Sequence, residues 1–399
     1  MTQLLHRNQV NAPSHLELID LLRGLAAQLV VLNHMRATFF LDFGSLPDRN
    51  PLTIVFYTLT GFGHQGVIIF FVLSGFLVGG AGFRQYLSLS YTPWRFFLRR
   101  LTRLWLVLIP ALVLTFLIDT IGRHQGVSLY EGAFFDLFTS GPDPSGDIDT
   151  SWQFKTLLGN VFFLQTIETS VYGTNSPLWS LAYEFWYYVL FILGMASAAS
   201  NLPLTLRVAS SIGMLIAVVY LPMNILLHGL IWAAGAVLAY VVQTERLPVL
   251  PRKLTVLAGI AFAAALLTVR FGLLADFGNL TNDALVAATL IFVLMTVVNR
   301  AGLPSWLARF SAFIADYSYT IYLIHFPIVM LIAAVGFSGR QFTLTMPTFA
   351  LFCAILAALN LFAYLFYRMF ESHTPKAQRW IASTFGELPT RLINNGGTK

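Results

Sequence analysis

The sequence predicts an all-α membrane protein in which about ten transmembrane helices surround a central polar cavity. Of its 399 residues, 57% are hydrophobic and only 11% are charged, a balance far from that of soluble domains. Apolar runs of ~17–25 residues, the length a helix needs to cross a bilayer, recur along the chain. Several runs contain arginine, histidine or glutamate, which are costly in lipid unless they face the bundle interior or water.

Each predicted span is an apolar run bounded by polar residues, glycine or proline. The spans cover 19–39, 61–82, 104–121, 177–198, 204–221, 223–243, 254–271, 283–299, 317–336 and 347–369. The fourth starts at Pro177, a residue favoured in the first turn of a helix. In the second, Ser74 and Gly75 are expected to permit close helix packing. In the ninth, Pro327 removes a backbone hydrogen bond and is expected to kink the helix.

One long polar insertion separates the third and fourth spans. It runs from Gly122 to about Trp152 and is rich in Asp, Gly and Pro, which is typical of an exposed loop. After it, residues 152–165 have an amphipathic pattern that predicts a segment lying along the membrane interface. No region has the pattern of a separate soluble domain.

The positions of lysine and arginine predict the orientation. An even number of spans places both termini on one side, and most of the 24 Lys and Arg residues lie on that side. Only six are predicted on the other: Arg36, Arg49, Arg123, Lys155, Arg270 and Arg340. The positive-inside rule therefore predicts two cytoplasmic tails, 1–15 and 371–399, around a domain 16–370 embedded in the membrane. The net charge of +6 is explained by these loops, so no nucleic-acid partner is expected.

The first span carries two ionisable residues, Arg23 and His34. Eleven residues at ~100° each come to about 20° past three full turns, so both side chains share one helix face, ~16 Å apart along the axis. This spacing predicts a cation and an imidazole at different depths of one cavity. The structural alternatives are that Arg23 snorkels to the interface beside Asp20, and that His34 makes an interhelical hydrogen bond.

Arginines are concentrated just before the third span, and they include Arg99, Arg100 and Arg103. One interpretation is an anchor against anionic lipid headgroups. The other is an anion site, because Arg100 and Arg103 are three residues apart on one helix face and can bind phosphate oxygens bidentately.

Further ionisable residues lie in the second, fourth and ninth spans. Glu184 is about two turns into the fourth span and is expected to pair with a cation or a histidine, or to face water. His325 precedes Pro327, and a structural hydrogen bond competes with a catalytic role for it. His64 is a candidate third buried imidazole. The histidines are scattered without carboxylates at ligand spacing, so no metal site is predicted.

In this order, these motifs resemble the acyltransferase-3 family of integral membrane acyltransferases. The resemblance extends from residue 16 to about 370 and rests on five motifs: Arg23-Gly-Leu-Ala with His34, Phe70-Phe-Val-Leu-Ser-Gly-Phe-Leu77, Arg100-x-x-Arg103, Trp179-Ser-Leu-x-x-Glu184 and Tyr319-x-x-Tyr-Leu-x-His325-x-Pro327. It implies transfer of an acyl group, most often acetyl from acetyl-CoA, to a hydroxyl of a carbohydrate or glycolipid. The acceptor would be a surface polysaccharide or its lipid-linked precursor. The residues that the family ties to activity correspond here to Arg23, His34, Arg100 and Arg103.

The residues and the resemblance together give a mechanistic hypothesis. CoA phosphates bind Arg100 and Arg103, assisted by Arg99, and the thioester reaches His34, an uncharged imidazole that takes the proton of the acceptor hydroxyl. In this scheme Glu184 or His325 orients His34 or the acceptor, and Arg23 stabilises charge on the thioester oxygen. Acyl-CoA is a donor substrate, no permanently bound cofactor is expected, and membrane lipid surrounds the protein. The alternatives are an acyl-histidine intermediate, a small-molecule acceptor, and a flippase or transporter of lipid-linked sugars.

Overall fold

The computed structural model describes residues 15–125, 128–130, 148–244, 247–248, 250–276, 278–298 and 302–385. Most of the predicted N-terminal tail, residues 386–399 and most of the polar insertion lie outside these ranges. The described residues form helices and, apart from two isolated bridges, no β-structure. The helices are α1 His15–Phe39, α2 Pro51–Leu59, α3 Gly63–Leu87, α4 Pro93–Arg123, α5 Phe154–Val161, α6 Leu178–Ala198, α7 Leu204–Tyr220, α8 Met223–Gln243, α9 Arg252–Arg270, α10 Leu280–Val297, α11 Ser305–Asp316, α12 Ser318–Leu331, α13 Met346–Met369 and α14 Thr374–Phe385.

All ten predicted spans coincide with helices, and the all-α membrane fold is confirmed. Within the described ranges, eight helical stretches are long and apolar enough to cross a membrane, judged by length and composition. Helix α7, with 17 residues, is a shorter apolar helix. Helix α1 is 25 residues long but carries several charged side chains and is not among the eight. The total number of spans therefore stays a prediction.

Several helices begin at residues whose side chains satisfy the first backbone N–H groups. Asn50 accepts a hydrogen bond from the Thr53 backbone N–H at the start of α2. Thr345 and Thr348 form a reciprocal capping box at the start of α13, which has Pro347 in its first turn. Helix α12 runs through Pro327 to Leu331 and then widens into a π-helical turn over Ile332–Gly336.

Helix α3 lies at the centre of the bundle and packs against α1, α6, α8 and α10. Its closest approach is to α8, where Gly75 lies against the backbone of Trp232 and Gly79 lies against Ala236. A side chain at either glycine would collide with the facing helix, so Gly75 has the packing role expected of it. Helices α9 and α13 instead present most of their apolar surface outward, as lipid-facing helices do.

Residues 148–177, which precede α6, fold onto the bundle around a buried carboxylate. Asp119 accepts hydrogen bonds from the Thr174 backbone N–H (2.8 Å), the Thr174 hydroxyl (2.7 Å) and the Trp152 indole N–H (3.1 Å). Within this segment α5 is amphipathic, with Phe154 and Leu158 exposed, as the sequence predicts. Its position at the membrane interface stays a prediction.

Helices α1 and α12 lie side by side and run in the same direction. Near their starts, an Arg23 guanidinium N–H donates to the carbonyl of Ala315, just before α12 (3.0 Å). Eleven residues later, His34 contacts His325. The fold thus places the two ionisable residues of the first predicted span against two successive levels of α12, the backbone just before it and His325 within it.

Candidate active site

The imidazoles of His34, which is partly exposed, and His325, which is buried, form a pair between α1 and α12. Nδ1 of His34 lies 2.8 Å from Nε2 of His325, and the two rings are nearly parallel, with an interplanar angle of 8°. His325 has no solvent exposure, and the ring of Phe326 packs 4.9 Å from that of His34. The sequence places these residues in one candidate site, and the structure brings them into direct contact.

The surroundings of the pair determine which nitrogens carry hydrogen. Nδ1 of His325 lies 2.9 Å from the carbonyl oxygens of both Ile321 and Tyr322. Since carbonyl oxygens only accept, this nitrogen must carry a hydrogen, and Nε2 of a neutral His325 is then an acceptor. Nδ1 of His34 must therefore donate to it, which leaves the lone pair of a neutral His34 on Nε2. The backbone of α12 in this way sets the tautomer of an imidazole on α1.

Arg23 is held at the other end of the same helix face. Besides its bond to Ala315, its guanidinium lies 3.4 Å from the carboxylate of Asp20, one turn earlier. This is the ion pair considered in the sequence. Arg23 nevertheless points inward, because it lines a cavity inside the bundle. Arg103 and Glu371 are close enough to interact with it electrostatically.

The cavity is bounded by α1, α3, α4, α6 and α12. Its walls combine two cations, one carboxylate, several hydroxyls and aromatic rings, and the polar side chains are Arg23, Ser74, Arg103, Ser180, Glu184, Tyr188, Ser318, Tyr319 and Tyr322. Phe70 and Phe71 of α3 supply apolar wall. Such a lining suits a ligand with an extended polar chain and apolar stretches.

Glu184 is bonded to hydroxyl groups in this cavity. Its Oε1 accepts a hydrogen bond from the Ser74 hydroxyl at 2.8 Å and another from the Tyr188 hydroxyl. The Trp232 indole N–H in turn donates to the Ser74 oxygen at 3.2 Å. The sequence predicts a cation or histidine partner, or water, for this carboxylate. Its direct partners are hydroxyls instead, and it faces the cavity. Ser74, expected only to permit close packing, is one of those partners.

The three candidate arginines of α4 separate into different surroundings. Arg103 lines the bundle cavity with Arg23 and Glu184. Arg99 lines a second cavity with Arg95, where the start of α4 meets α14. Arg100 lines neither of these cavities: its guanidinium carbon lies 5.0 Å from the ring centroid of Phe96, and its Nε is buried without a hydrogen-bond acceptor.

The imidazole pair and the bundle cavity share a wall but are not one open space. Neither His34 nor His325 is among the residues that line the cavity. Tyr322 joins the two regions, since its side chain lines the cavity and its carbonyl oxygen contacts His325. The ring of Phe70 packs edge-on against that of Tyr322 at 5.6 Å.

Several residues near the site are not singled out by the sequence. Glu371, just after α13, accepts hydrogen bonds from the backbone N–H (3.2 Å) and hydroxyl (2.6 Å) of Thr320, and it interacts electrostatically with Arg23 and Arg103. Gln378 of α14 donates to the Arg99 carbonyl oxygen at 2.8 Å and lines the second cavity. The one sequence feature that could have identified any of these residues is that Glu371 is acidic and directly follows an apolar run.

Three further titratable residues meet where α3, α8 and α10 begin. Nε2 of His64 lies 2.8 Å from one carboxylate oxygen of Asp283, and Nε2 of His228 lies 3.1 Å from the other. The sequence has no carboxylate at metal-ligand spacing from these histidines, and the fold brings Asp283 into contact with both of them. In the part of the chain that the structure describes, no group of His, Cys, Asp or Glu could hold a metal ion.

Comparison with known proteins identifies the family of this chain. Residues 16–377 match acyltransferase-3, described as an acyltransferase domain, which is most of the chain. The chain belongs to the acyltransferase-3 family. It is also similar to the peptidoglycan O-acetyltransferase OatA of Listeria monocytogenes serovar 1/2a (strain ATCC BAA-679 / EGD-e), with 29% identity over 303 residues. That alignment covers 67% of this chain and 45% of OatA, so the chain spans less than half of this curated relative. No solved structure matches the chain.

The chain therefore carries the acyltransferase domain of this family, in a fold with several membrane-spanning helices. The resemblance drawn from the five sequence motifs is therefore confirmed.

Proposed function

We propose that this acyltransferase moves an acyl group, in the simplest case acetyl, from a cytosolic acyl-CoA to a hydroxyl of a carbohydrate or glycolipid acceptor. The observation that carries this proposal is the His34–His325 pair, which gives the family's histidine a defined tautomer. The acceptor is a surface polysaccharide or its lipid-linked precursor. The protein lies in the inner membrane with both termini in the cytoplasm, as the distribution of lysine and arginine indicates.

The acyl donor enters from the side of the termini. The phosphates of CoA bind at the cavity lined by Arg95 and Arg99, between α4 and α14. The pantetheine arm, which has amide groups separated by short apolar stretches, extends into the bundle cavity. There Ser74, Tyr188 and Tyr319 offer hydroxyls to its amides, and Arg103 adds a cation near the CoA end. Arg100 stacks on Phe96 and reinforces the positive potential of this end of α4.

Transfer takes place at the imidazole pair. Nε2 of His34 takes the proton of the acceptor hydroxyl while the hydroxyl oxygen attacks the thioester carbonyl carbon. The resulting tetrahedral adduct collapses, the carbon–sulfur bond breaks, and the protonated His34 gives its proton to the departing CoA sulfur. Proton transfer of this kind contributes ~10²–10⁴-fold to a rate. His325 positions His34 and disperses the positive charge that forms on it.

The test is acetyl transfer by purified protein in nanodiscs. Radiolabelled acetyl-CoA is supplied with total membrane glycolipids, and both labelled glycolipid and released CoA are measured. We expect His34→Ala to lose transfer by about 10²-fold or more. His373→Ala is the matched control, since this exposed imidazole lies outside both cavities and should leave the rate unchanged.

Two results would contradict the mechanism. Transfer by a folded His34→Ala protein near the wild-type rate would remove His34 from the reaction. A stoichiometric burst of CoA without any acceptor would show that the acyl group first moves to the enzyme, because direct transfer releases CoA only when an acceptor hydroxyl attacks.

A further inference from the structure

We propose that Arg36 and Arg270 form a binding site for an oxyanion, a phosphate or a carboxylate, carried by the acceptor. This site is on the membrane face opposite the N-terminus, and its assignment to the acceptor rests on the proposed function. Arg36 is in the last turn of α1, and Arg270 is the last residue of α9.

Both guanidinium groups are anchored on one buried residue, Tyr57 of α2. The guanidinium carbon of Arg36 lies 5.3 Å from the Tyr57 ring centroid, a cation–π distance. A guanidinium N–H of Arg270 donates to the Tyr57 carbonyl oxygen at 3.0 Å. The Tyr57 hydroxyl is itself fixed by a 2.6 Å bond to the Leu41 carbonyl. Two cations from distant parts of the chain are thus held near enough to interact electrostatically.

Among the residues that the structure describes, the pair has no direct counter-ion. Neither guanidinium has a carboxylate oxygen within 4 Å, and Arg36 donates a hydrogen bond to the side-chain oxygen of Asn33 at 3.5 Å. Asp42, an exposed residue, acts on Arg36 only at longer range. Nε of both arginines is buried without an acceptor. Partly buried like charges are costly, and an oxyanion that both could bind would offset that cost.

The backbone leaves room for this arrangement. The Arg270 guanidinium lies against Gly61, where any side chain would occupy the same space. Gly63 similarly leaves space for Asn33, which accepts a hydrogen bond from Arg36 one helical turn later. The connection between α2 and α3 therefore carries glycines at the positions that the two polar side chains require.

The location of the pair favours the acceptor as the source of the anion. Arg36 is two residues beyond His34, which is ~3 Å along a helix axis, and it interacts electrostatically with His34. The cations assigned to the acyl donor, Arg95, Arg99 and Arg103, lie toward the opposite face. The anchoring of both guanidinium groups between α1, α2 and α9 also favours a ligand that inserts between helices over a lipid headgroup at the perimeter.

Binding can be measured without any acyl donor. The full-length protein is placed in nanodiscs of zwitterionic phosphatidylcholine, and dissociation constants are measured for glucose 1-phosphate and glucuronate, with glucose as the uncharged control. We expect the two anions to bind and glucose to bind at least about tenfold more weakly. Arg36→Gln and Arg270→Gln should each weaken anion binding about tenfold or more, because a hydrogen bond to a charged group contributes ~1.5–3 kcal/mol.

Additional variants separate loss of the site from misfolding. Gly61→Ala displaces the Arg270 guanidinium but keeps its charge, so it should weaken binding less than Arg270→Gln. Arg36→Lys keeps the charge and loses the bidentate geometry, and it should fall between wild type and Arg36→Gln. Arg340→Gln is the matched control, an exposed arginine predicted on the same face, and should leave the dissociation constants unchanged.

Three results would overturn the proposal. The first is equal binding of glucose and its anionic counterparts. The second is unchanged anion binding in both Arg36→Gln and Arg270→Gln. The third is retention of phosphatidylglycerol by wild type but not by Arg36→Gln in native mass spectrometry, without binding of either sugar anion, which would assign the site to a lipid headgroup. Since no acyl-CoA is present, these results are independent of the His34→Ala transfer test.

Discussion

The direct contact between His34 and His325 makes a prediction about which replacement of His325 is tolerated. In the structure, His325 accepts one hydrogen bond from Nδ1 of His34 and donates to the backbone of its own helix. His325→Phe keeps an aromatic ring but removes both functions, and it leaves a donor on His34 unsatisfied in a buried site. Glutamine can place an amide oxygen near the position of Nε2, so His325→Gln can still accept from His34.

The magnitude follows from what is lost. An unsatisfied buried donor costs ~1–3 kcal/mol, and a neutral His34 that is no longer held in one tautomer spends part of its time with its lone pair on the wrong nitrogen. We expect His325→Phe to lower kcat by roughly 10–100-fold, since 1.36 kcal/mol corresponds to a factor of ten in rate. His325→Gln should recover about tenfold of that loss. The KM for acetyl-CoA should change little in either variant, because His325 lies outside the donor cavities.

The assay is steady-state release of CoA in nanodiscs with glycolipid acceptor, together with a thermal unfolding midpoint for each variant. Wild-type kcat in a folded His325→Phe protein would refute the positioning role. So would equal kcat in the Phe and Gln variants, because a purely structural imidazole would not distinguish them by their ability to accept a hydrogen bond from His34.

Three further substitutions test other parts of the structure. Arg103→Gln should raise the KM for acetyl-CoA about tenfold or more, since it removes a cation from the bundle cavity. Arg84→Gln, which changes an exposed residue at the end of α3, should leave this KM unchanged, and equal KM values in the two variants would contradict the assignment. Gly75→Val should lower the unfolding midpoint by several degrees through a collision with the α8 backbone costing ~1–3 kcal/mol, whereas Gly259→Val, with nothing within 4 Å, should not. Asp119→Ala removes the acceptor of all three hydrogen bonds, so hydrogen exchange at the Thr174 amide should accelerate at least about tenfold. Unchanged exchange would show that the carboxylate does not hold this segment.

The positions of the spans could be predicted from the sequence because each is a continuous apolar run, and that signal is local. The shared face of Arg23 and His34 could be predicted for the same reason, since it depends only on helical periodicity. The short helices α2, α11 and α14 were not predicted, because they are shorter than the apolar runs that indicate a membrane span.

Contacts between helices could not be predicted from local sequence patterns. His34 and His325 are 291 residues apart, and no local pattern states that α1 and α12 are neighbours. The partners of Glu184 illustrate the same limit. A carboxylate in a membrane needs stabilisation, and the sequence offered a cation or a histidine, but the bundle supplies hydroxyls from α3 and from its own helix.

Because α1 and α12 are parallel, the contact between His34 and His325 depends on the direction in which each residue points about its helix axis. An extra residue inserted between Arg23 and His34 would lengthen that stretch by only ~1.5 Å but would turn everything beyond it by ~100°. The imidazole would swing out of register with its neighbour while the guanidinium stayed in place. The eleven-residue interval along the first helix therefore tolerates neither insertion nor deletion.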